Sequence, residues 1–127
     1  MIVIRMTDSE VSVNGLKDKV KRFCDARDWD KFHPPKDLAI GIITEAGELL
    51  APFRFKSDEE AKEMLKNPKK REAIGEEVAD VLYFLLRFAQ MNGFDLSDEL
   101  NKKLEKNEVK YPIDRFKGSN KKYNELG

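Results

Sequence analysis

The sequence predicts an all-α protein, a small antiparallel bundle of about five helices that assembles into an oligomer. Apolar residues recur at helical spacing along the chain, and no stretch alternates with period two for long enough to build a sheet. The five prolines lie where helices are expected to start or stop. At 127 residues, the chain is expected to form a single domain over residues 1–127.

The first two helices are indicated by apolar stripes and by the prolines between them. After an arm over residues 1–11 that is expected to be extended, a helix is predicted from about Asn14 to Arg27. A second is predicted from about Pro35 and stops by Pro52, because proline suits the first helical turn. The two stripes consist of Leu16, Val20, Phe23 and Cys24, and of Leu38, Ile42, Glu45 and Leu49.

Capping residues mark the starts of the other three helices. Ser57 and Glu60 have the spacing of a capping box and predict a short helix to about Lys66. Asn67-Pro68 starts a long helix that ends at Gly93, a residue suited to a left-handed C-cap. Ser97 is expected to cap a fifth helix that Pro112 ends, before a C-terminal tail over residues 113–127. The residues of this fifth helix expected to face inward are Leu100, Leu104 and Tyr111.

The fourth helix is apolar on every face between Val78 and Ala89, where only Asp80 and Arg87 are charged. A helix that is apolar all round must be covered all round. One subunit of this size cannot easily do so, and we therefore expect self-association. The residues that we do not expect to be buried together within one subunit are Val81, Tyr83, Phe84, Leu85 and Phe88.

Charge and cysteine content exclude several classes of protein. Lysine plus arginine and aspartate plus glutamate each number 24, which argues against binding to nucleic acid or to a membrane surface. The longest apolar run is too short to span a bilayer. The single cysteine, Cys24, cannot form an intrachain disulfide and is expected in the core. Without a signal-peptide pattern, the expected location is the cytoplasm.

Two pairs of carboxylates stand within the two most apolar helices. Glu45 and Glu48 are three residues apart in the second helix, as are Glu77 and Asp80 in the fourth, so each pair lies on one helical face. Four similar pairs lie among lysines and polar residues or at helix ends, where a solvated face explains them. These are Asp25/Asp28, Glu60/Glu63, Asp95/Asp98 and Glu105/Glu108.

Converging carboxylates need a compensating partner. Two of them about 5 Å apart repel by about 3 kcal/mol at an effective dielectric constant of about 20. Acidic oxygen ligands suit Mg²⁺ or Mn²⁺, and Mg²⁺ commonly binds its substrate through phosphate oxygens. The pattern therefore indicates hydrolysis of a phosphate-bearing ligand by a metal-activated water. The alternative is a set of structural carboxylates paired with Arg54, Arg71 or Arg87.

Several blocks of sequence, in order over about residues 16–126, resemble one family. The two acidic motifs, Glu45-x-x-Glu48 and Glu77-x-x-Asp80, are similar to the metal motif of the MazG-like superfamily of all-α nucleoside triphosphate pyrophosphohydrolases. The residues of the matching blocks are more similar to its dCTP pyrophosphatase-like branch than to the rest of the superfamily. The matching blocks are RDWDKFHPPKDLA (27–39), EAGELLAPFRF (45–55), EEVADVLYFLLRFA (76–89), NGFDL (92–96), KLEKNEVKYP (103–112) and KGSNKKYNEL (117–126).

The resemblance implies that a nucleoside triphosphate is cut between its α- and β-phosphates, giving a monophosphate and pyrophosphate. It implies that Glu45, Glu48, Glu77 and Asp80 bind Mg²⁺. One of these carboxylates, or a hydroxide that they position, would be the general base. It further implies a tetramer built as a dimer of dimers, which agrees with the apolar fourth helix.

The resemblance also implies a set of substrate contacts. Trp29 matches an aromatic residue that lines the nucleotide pocket, whereas Phe55 and Phe84 replace a frequent Trp and Tyr and so lack a hydrogen-bond donor. Asn107 matches a position near the nucleoside. The remaining candidates are His33, for which packing or turn capping is the alternative, and Lys103 and Tyr111, which could contact phosphates.

Two other functions remain open from the sequence. One is a pyrophosphohydrolase of the same superfamily acting on dUTP or phosphoribosyl-ATP, and the FHPPK and KYP blocks argue against it. The other is a non-catalytic helical oligomerisation module. Stabilisation by Mg²⁺ and release of pyrophosphate would separate an enzyme from such a module.

Overall fold

The structure is a computed structural model that describes residues 5–125. Over these residues it contains α-helices and short 3-10 turns but no strand, which confirms the all-α class. Residues 1–4 of the expected N-terminal arm lie outside the described part. The helices are α1 (Val13–Asp25), α2 (Pro35–Leu50), α3 (Asp58–Lys66), α4 (Pro68–Asn92), α5 (Leu96–Lys110) and α6 (Ile113–Phe116).

Local capping chemistry sets the ends of α3 and α4 as predicted. The Ser57 hydroxyl accepts a hydrogen bond from the Glu60 backbone, and the Glu60 side chain accepts one from the Ser57 backbone, which completes the capping box. The Asn67 side chain accepts from the Lys70 backbone at the start of α4. Gly93 ends α4 with a positive φ of 73°, a conformation that glycine adopts without strain.

The prediction that Ser97 caps α5 is wrong by two residues. The side chain of Asp95 accepts from the backbone N–H of Asp98, and the helix begins at Leu96. Both residue types are good caps, and the chain uses the earlier one. Helix α6 and a 3-10 turn at Tyr123–Glu125 lie in the region 113–127 expected to be a tail.

Helix α4 is the central element of the first compact unit, which ends at Gly93. Helices α1, α2 and α3 all pack against it. Where α2 and α4 approach, Gly41 faces the ring of Phe84, and the missing side chain makes room for that ring. The buried apolar residues of the described chain are Cys24, Leu38, Ile74, Leu86 and Ala89.

Cys24 joins α1 to α4 through a polar contact within this core. Its thiol lies 3.1 Å from the hydroxyl of Tyr83, and either atom could be the donor. Burial and this hydrogen bond raise the pKa of Tyr83 well above its usual value, so the phenol stays protonated. The predicted core position of Cys24 is confirmed.

The second compact unit begins at Phe94 and contains α5 and α6. Here the Tyr111 ring meets the Phe116 ring edge-on at a centroid distance of 4.9 Å and the Tyr123 ring at 6.2 Å. The expectation that Leu100, Leu104 and Tyr111 face inward is wrong, because all three are exposed in the single chain.

An apolar stripe on α4 remains exposed. Val78, Leu82 and Leu85 recur at i, i+4 and i+7 and are each about half accessible to solvent. Of the five residues expected to resist burial within one subunit, Leu85 is exposed and the other four are half-buried. No helix within residues 5–125 is both long and apolar enough to cross a membrane.

Candidate metal centre

The packing of α2 on α4 brings three carboxylates together. Glu45 projects from α2, and Glu77 and Asp80 project from one face of α4. One carboxylate oxygen from each residue lies within 4.8 Å of the others. We call these three residues the acidic cluster. Glu45 is one helical turn beyond Gly41, so the close approach at Phe84 also sets the spacing of the cluster.

Glu77 occupies the least favourable position in this cluster. Its Oε2 atom is buried and has no hydrogen-bond partner. Desolvation raises the pKa of Glu77, and the negative charges of Asp80, Glu48 and Glu45 raise it further. A buried carboxylate oxygen without a donor is costly, and a bound cation would remove that cost.

Glu48 lies outside the acidic cluster. It is exposed, three residues after Glu45 on α2, and its charge still contributes to the raised pKa of Glu77. The structure thus brings together three of the four carboxylates named from the sequence and leaves the fourth beside them.

The arginines considered as structural partners make their contacts elsewhere. Arg87 pairs with Asp30, Arg71 donates to the Leu65 carbonyl, and the Arg54 guanidinium lies 4.7 Å from the centroid of the Phe55 ring. The ion pairs found within residues 5–125 include no member of the acidic cluster. The alternative of salt-bridged structural carboxylates is therefore not supported by these three arginines.

The donor set of the cluster suits a hard divalent cation. It offers carboxylate oxygens and neither sulfur nor imidazole, the combination that favours Mg²⁺ or Mn²⁺ over zinc. The buried Glu77 Oε2, which lacks a protein donor, fits the same interpretation. The acidic cluster could bind a metal ion.

An aromatic group connects α1, the following turn and α4. The Phe23 ring meets Trp29 edge-on at 5.8 Å and Tyr83 at 6.2 Å, and Tyr83 meets Phe84 at 5.2 Å. Phe84 follows Asp80 by one helical turn, so the group adjoins the acidic cluster along α4. Trp29 and Phe84, both named from the sequence, are half-buried here.

Phe55 is placed differently from these two residues. It follows the 3-10 turn after α2, is 90 % exposed and has a positive φ of 65°. Positive φ is uncommon for a bulky residue and marks a conformation held by its surroundings. Within the described chain, the Arg54 guanidinium lies over its ring.

His33 belongs to a polar cluster that the sequence did not reveal. Its Nδ1 accepts a hydrogen bond from the Nε of Arg87, which also donates to Gln90 and Asp30. The signal available in the sequence was Arg87 itself, the one cation in the apolar run Val78–Ala89. Its partners Asp30 and His33 are distant in sequence, and helical periodicity does not predict such contacts.

The other residues named from the sequence lie in the second unit. Asn107 is half-buried on α5, Lys103 is exposed on the same helix, and the Tyr111 ring meets the rings of Phe116 and Tyr123 edge-on.

Comparison with known proteins places these features in a family. A model of the MazG-like family matches residues 40–126. The dCTP pyrophosphatase 1 of Rattus norvegicus is 38 % identical over 117 residues, 92 % of this chain and 69 % of that protein. The Homo sapiens protein of the same name is 36 % identical over the same shares of 92 % and 69 %. The crystal structure of a pyrophosphatase from Archaeoglobus fulgidus matches with a TM-score of 0.75 and 35 % identity, covering 85 % of this chain and 99 % of that one.

Proposed function

The chain belongs to the MazG-like family, and from this membership and the acidic cluster we propose that it is a Mg²⁺-dependent nucleoside triphosphate pyrophosphohydrolase. The proposed substrate is dCTP or a related, modified deoxynucleotide, since the relatives reported above are dCTP pyrophosphatases. Removing such nucleotides would sanitise the nucleotide pool. The observation that carries the proposal is the convergence of Glu45, Glu77 and Asp80.

The proposed ligands for Mg²⁺, with Mn²⁺ as a substitute, are the acidic cluster and the neighbouring Glu48. When bound, the ion would stabilise charge on the phosphate oxygens and make a water more acidic. The orphaned Glu77 Oε2 supports this assignment, because a cation would satisfy it.

The proposed reaction is hydrolysis at the α-phosphorus. A bond forms from water oxygen to the α-phosphorus, and the bond from that phosphorus to the α–β bridging oxygen breaks. Pyrophosphate leaves with the electron pair, and a carboxylate beside the site takes the proton of the attacking water. The products are a nucleoside monophosphate and pyrophosphate.

Aromatic side chains near the cluster would hold the base. Trp29 and Phe84 lie in the half-buried aromatic group that adjoins Asp80, and a flat base can stack on such rings. A base held there would bring the nearby α-phosphate, rather than the distal γ-phosphate, to the carboxylates. Further proposed substrate contacts are His33, Phe55, Lys103, Asn107 and Tyr111.

We also propose that the protein is a homo-oligomer, a tetramer built as a dimer of dimers. The exposed stripe Val78, Leu82 and Leu85 on α4 supports this, as do Ile43 and Leu50 on α2. Apolar residues that recur on one face of a helix are normally covered by another surface. A second copy of the chain would cover them.

The test is a panel of nucleoside triphosphates assayed for pyrophosphate in the presence and absence of Mg²⁺. Chromatography of an early time point with dCTP should show dCMP and pyrophosphate as the initial products. Deoxycytidine diphosphate with inorganic phosphate would instead identify a γ-phosphatase. Failure to release pyrophosphate from any member, with no thermal stabilisation by Mg²⁺, would favour the non-catalytic helical module.

A further inference from the structure

Arg87 is the most deeply buried charged residue in the described chain, with 1 % of its surface exposed. Each branch of its side chain donates a hydrogen bond: Nε to His33 Nδ1 at 2.9 Å, Nη1 to Gln90 Oε1 at 2.6 Å, and Nη2 to Asp30 Oδ1 at 2.5 Å. The guanidinium is therefore satisfied in three directions.

Stability alone does not account for this arginine. Replacing a buried ion pair by apolar residues is often neutral or stabilising, because the desolvation of the charge offsets its attraction to the partner. The neighbouring buried positions of α4 are filled by Leu86 and Ala89, which pack without that penalty. The Asp30 side chain is 64 % exposed, so the ion pair is also weakened by water.

The contacts of Arg87 instead converge on one short segment. Asp30 begins the 3-10 turn that ends at Phe32, Trp29 precedes this turn, and His33 follows it. The Trp29 and His33 rings meet edge-on with centroids 6.2 Å apart. Arg87 thus holds both ends of the turn on which Trp29 is carried.

Arg87 also determines which hydrogen-bonding groups His33 presents. Because His33 Nδ1 accepts from Arg87, the neutral imidazole carries its proton on Nε2. Burial lowers the pKa of His33, the charge of Arg87 lowers it further, and the charge of Asp30 opposes them. Within residues 5–125 no group accepts a hydrogen bond from His33 Nε2. Half-buried beside Trp29, His33 offers one N–H donor.

The position of Arg87 links this segment to the acidic cluster. Glu77, Asp80, Phe84 and Arg87 follow one another at i, i+3, i+7 and i+10, so they lie along the same face of α4. One rigid helix therefore carries, in order along one face, two carboxylates, an aromatic ring and the guanidinium. Because Arg87 and the carboxylates Glu77 and Asp80 belong to the same helix, a turn bound to Arg87 is held at a fixed distance from those carboxylates.

We infer that Arg87 is a positioning residue for the nucleotide base. Through Asp30 and His33 it fixes the turn that carries Trp29, and it keeps His33 as a hydrogen-bond donor for an acceptor atom of the base. The ring nitrogen N3 and the carbonyl oxygen O2 of cytosine are acceptors of this kind. This inference rests on the proposed function, because it concerns how that substrate is held.

The first arm of the test uses NMR and does not depend on activity. His33 is the only histidine in the sequence, so its ring nitrogen signals are unambiguous. In the wild type they should show the tautomer protonated on Nε2 and a pKa below the usual value of about 6.5. In Arg87→Met the tautomers should mix and the pKa should rise towards that value.

The second arm measures kinetics with dCTP and Mg²⁺. Arg87→Met should raise KM about tenfold, equivalent to about 1.4 kcal/mol, while kcat changes by less than about threefold. Arg71→Met is the matched control, since it makes the same substitution on the same helix at an exposed arginine. It should leave both constants and the histidine spectrum unchanged. If Arg87→Met does not fold, Arg87→Lys keeps the charge but lacks the planar fork, and should show the same changes.

Two results would overturn the inference. One is a histidine tautomer and pKa that do not change when Arg87 is replaced. The other is a folded Arg87 variant with normal KM, which would leave Arg87 a purely structural residue. A wild type that shows the expected tautomer but hydrolyses no nucleotide would refute the proposed function through a separate measurement.

Discussion

Gly41 on α2 lies against the ring of Phe84 on α4, so closely that a Cβ atom at Gly41 would stand 2.5 Å from two ring carbons. Two non-bonded carbon atoms do not approach so closely, so the ring or one of the helices would have to move. The spacing of the two helices, and with it the approach of Glu45 to Glu77 and Asp80, depends on a missing methyl group.

Gly41→Ala should therefore destabilise the fold and weaken metal binding. Pushing α2 away from α4 should cost about 1–3 kcal/mol in the free energy of unfolding, measured by urea denaturation. Gly47→Ala on the same helix is the control, because a Cβ there meets nothing within 4 Å. It should stabilise the protein by up to about 1 kcal/mol, since alanine is the better helix former. Equal effects of the two substitutions would show that the helices are not in contact at Phe84.

Glu77→Gln should separate stability from metal binding. Because desolvation and the neighbouring charges raise the pKa of Glu77, its ionised form opposes folding at neutral pH. The variant should therefore be as stable as the wild type, or more so, without metal. It should also lose the rise in melting temperature that Mg²⁺ produces in the wild type, together with turnover. Glu63→Gln, at an exposed residue paired with Lys66, should change neither property.

Asp80→Asn and Glu48→Gln test the remaining assignments by activity. Both variants should fold and lose turnover in Mg²⁺. Near-normal activity of Asp80→Asn would exclude Asp80 as a metal ligand. Near-normal activity of Glu48→Gln would restrict the site to the three carboxylates that the structure brings together.

The free energy of unfolding should decrease as the pH is lowered, and part of this decrease should be due to His33. The pKa of His33 is lowered in the folded state, so the unfolded chain takes up a proton first as the pH falls. The full contribution of His33 to the free energy of unfolding is present above the pKa of the unfolded chain, about 6.5. It is lost as the pH falls through the lower pKa of the folded state. Denaturation at a series of pH values should show this loss in the wild type and not in His33→Gln. Glu77 acts with the opposite sign, because its raised pKa means that protonation at lower pH stabilises the folded state. Glu77→Gln should therefore make the decrease in stability at low pH steeper.

Leu82→Lys should disrupt the oligomer. A charge placed in the middle of the exposed α4 stripe cannot be buried against a second copy without a large desolvation cost. Light scattering should show a tetramer for the wild type and a smaller species for the variant. Val13→Lys, at a similarly exposed valine that begins α1, should leave the mass unchanged. A monomeric wild type at micromolar concentration would remove the basis for the assembly.

The sequence predicts well what local chemistry decides. The Ser57 capping box, the Asn67 cap and the left-handed Gly93 bound their helices in the structure because each acts within one turn of chain. Where two residues two positions apart could both cap, as Asp95 and Ser97 could, local chemistry does not choose between them. The prediction from Ser97 therefore places the start of α5 two residues too late.

Periodicity identifies a helical face but not what covers it. Leu38 and Leu86 meet partners within the chain and are buried, whereas Leu100 and Leu104 are exposed. The contacts of Arg87 with Asp30 and His33 depend on how α4 meets a turn more than fifty residues away, and no local pattern encodes them. The carboxylates were identifiable because acidic residues are conspicuous in apolar helices.

The contact of Cys24 with Tyr83 has a practical consequence for following the motions of the protein. A thiol with no exposed surface reacts with an alkylating reagent only when α1 separates from α4. Because the chain has one cysteine, the labelling rate reports the opening of that single contact. The alkylation rate of Cys24 would therefore measure how often α1, the helix whose Phe23 packs on Trp29, moves away from α4. No further label would have to be engineered into the protein.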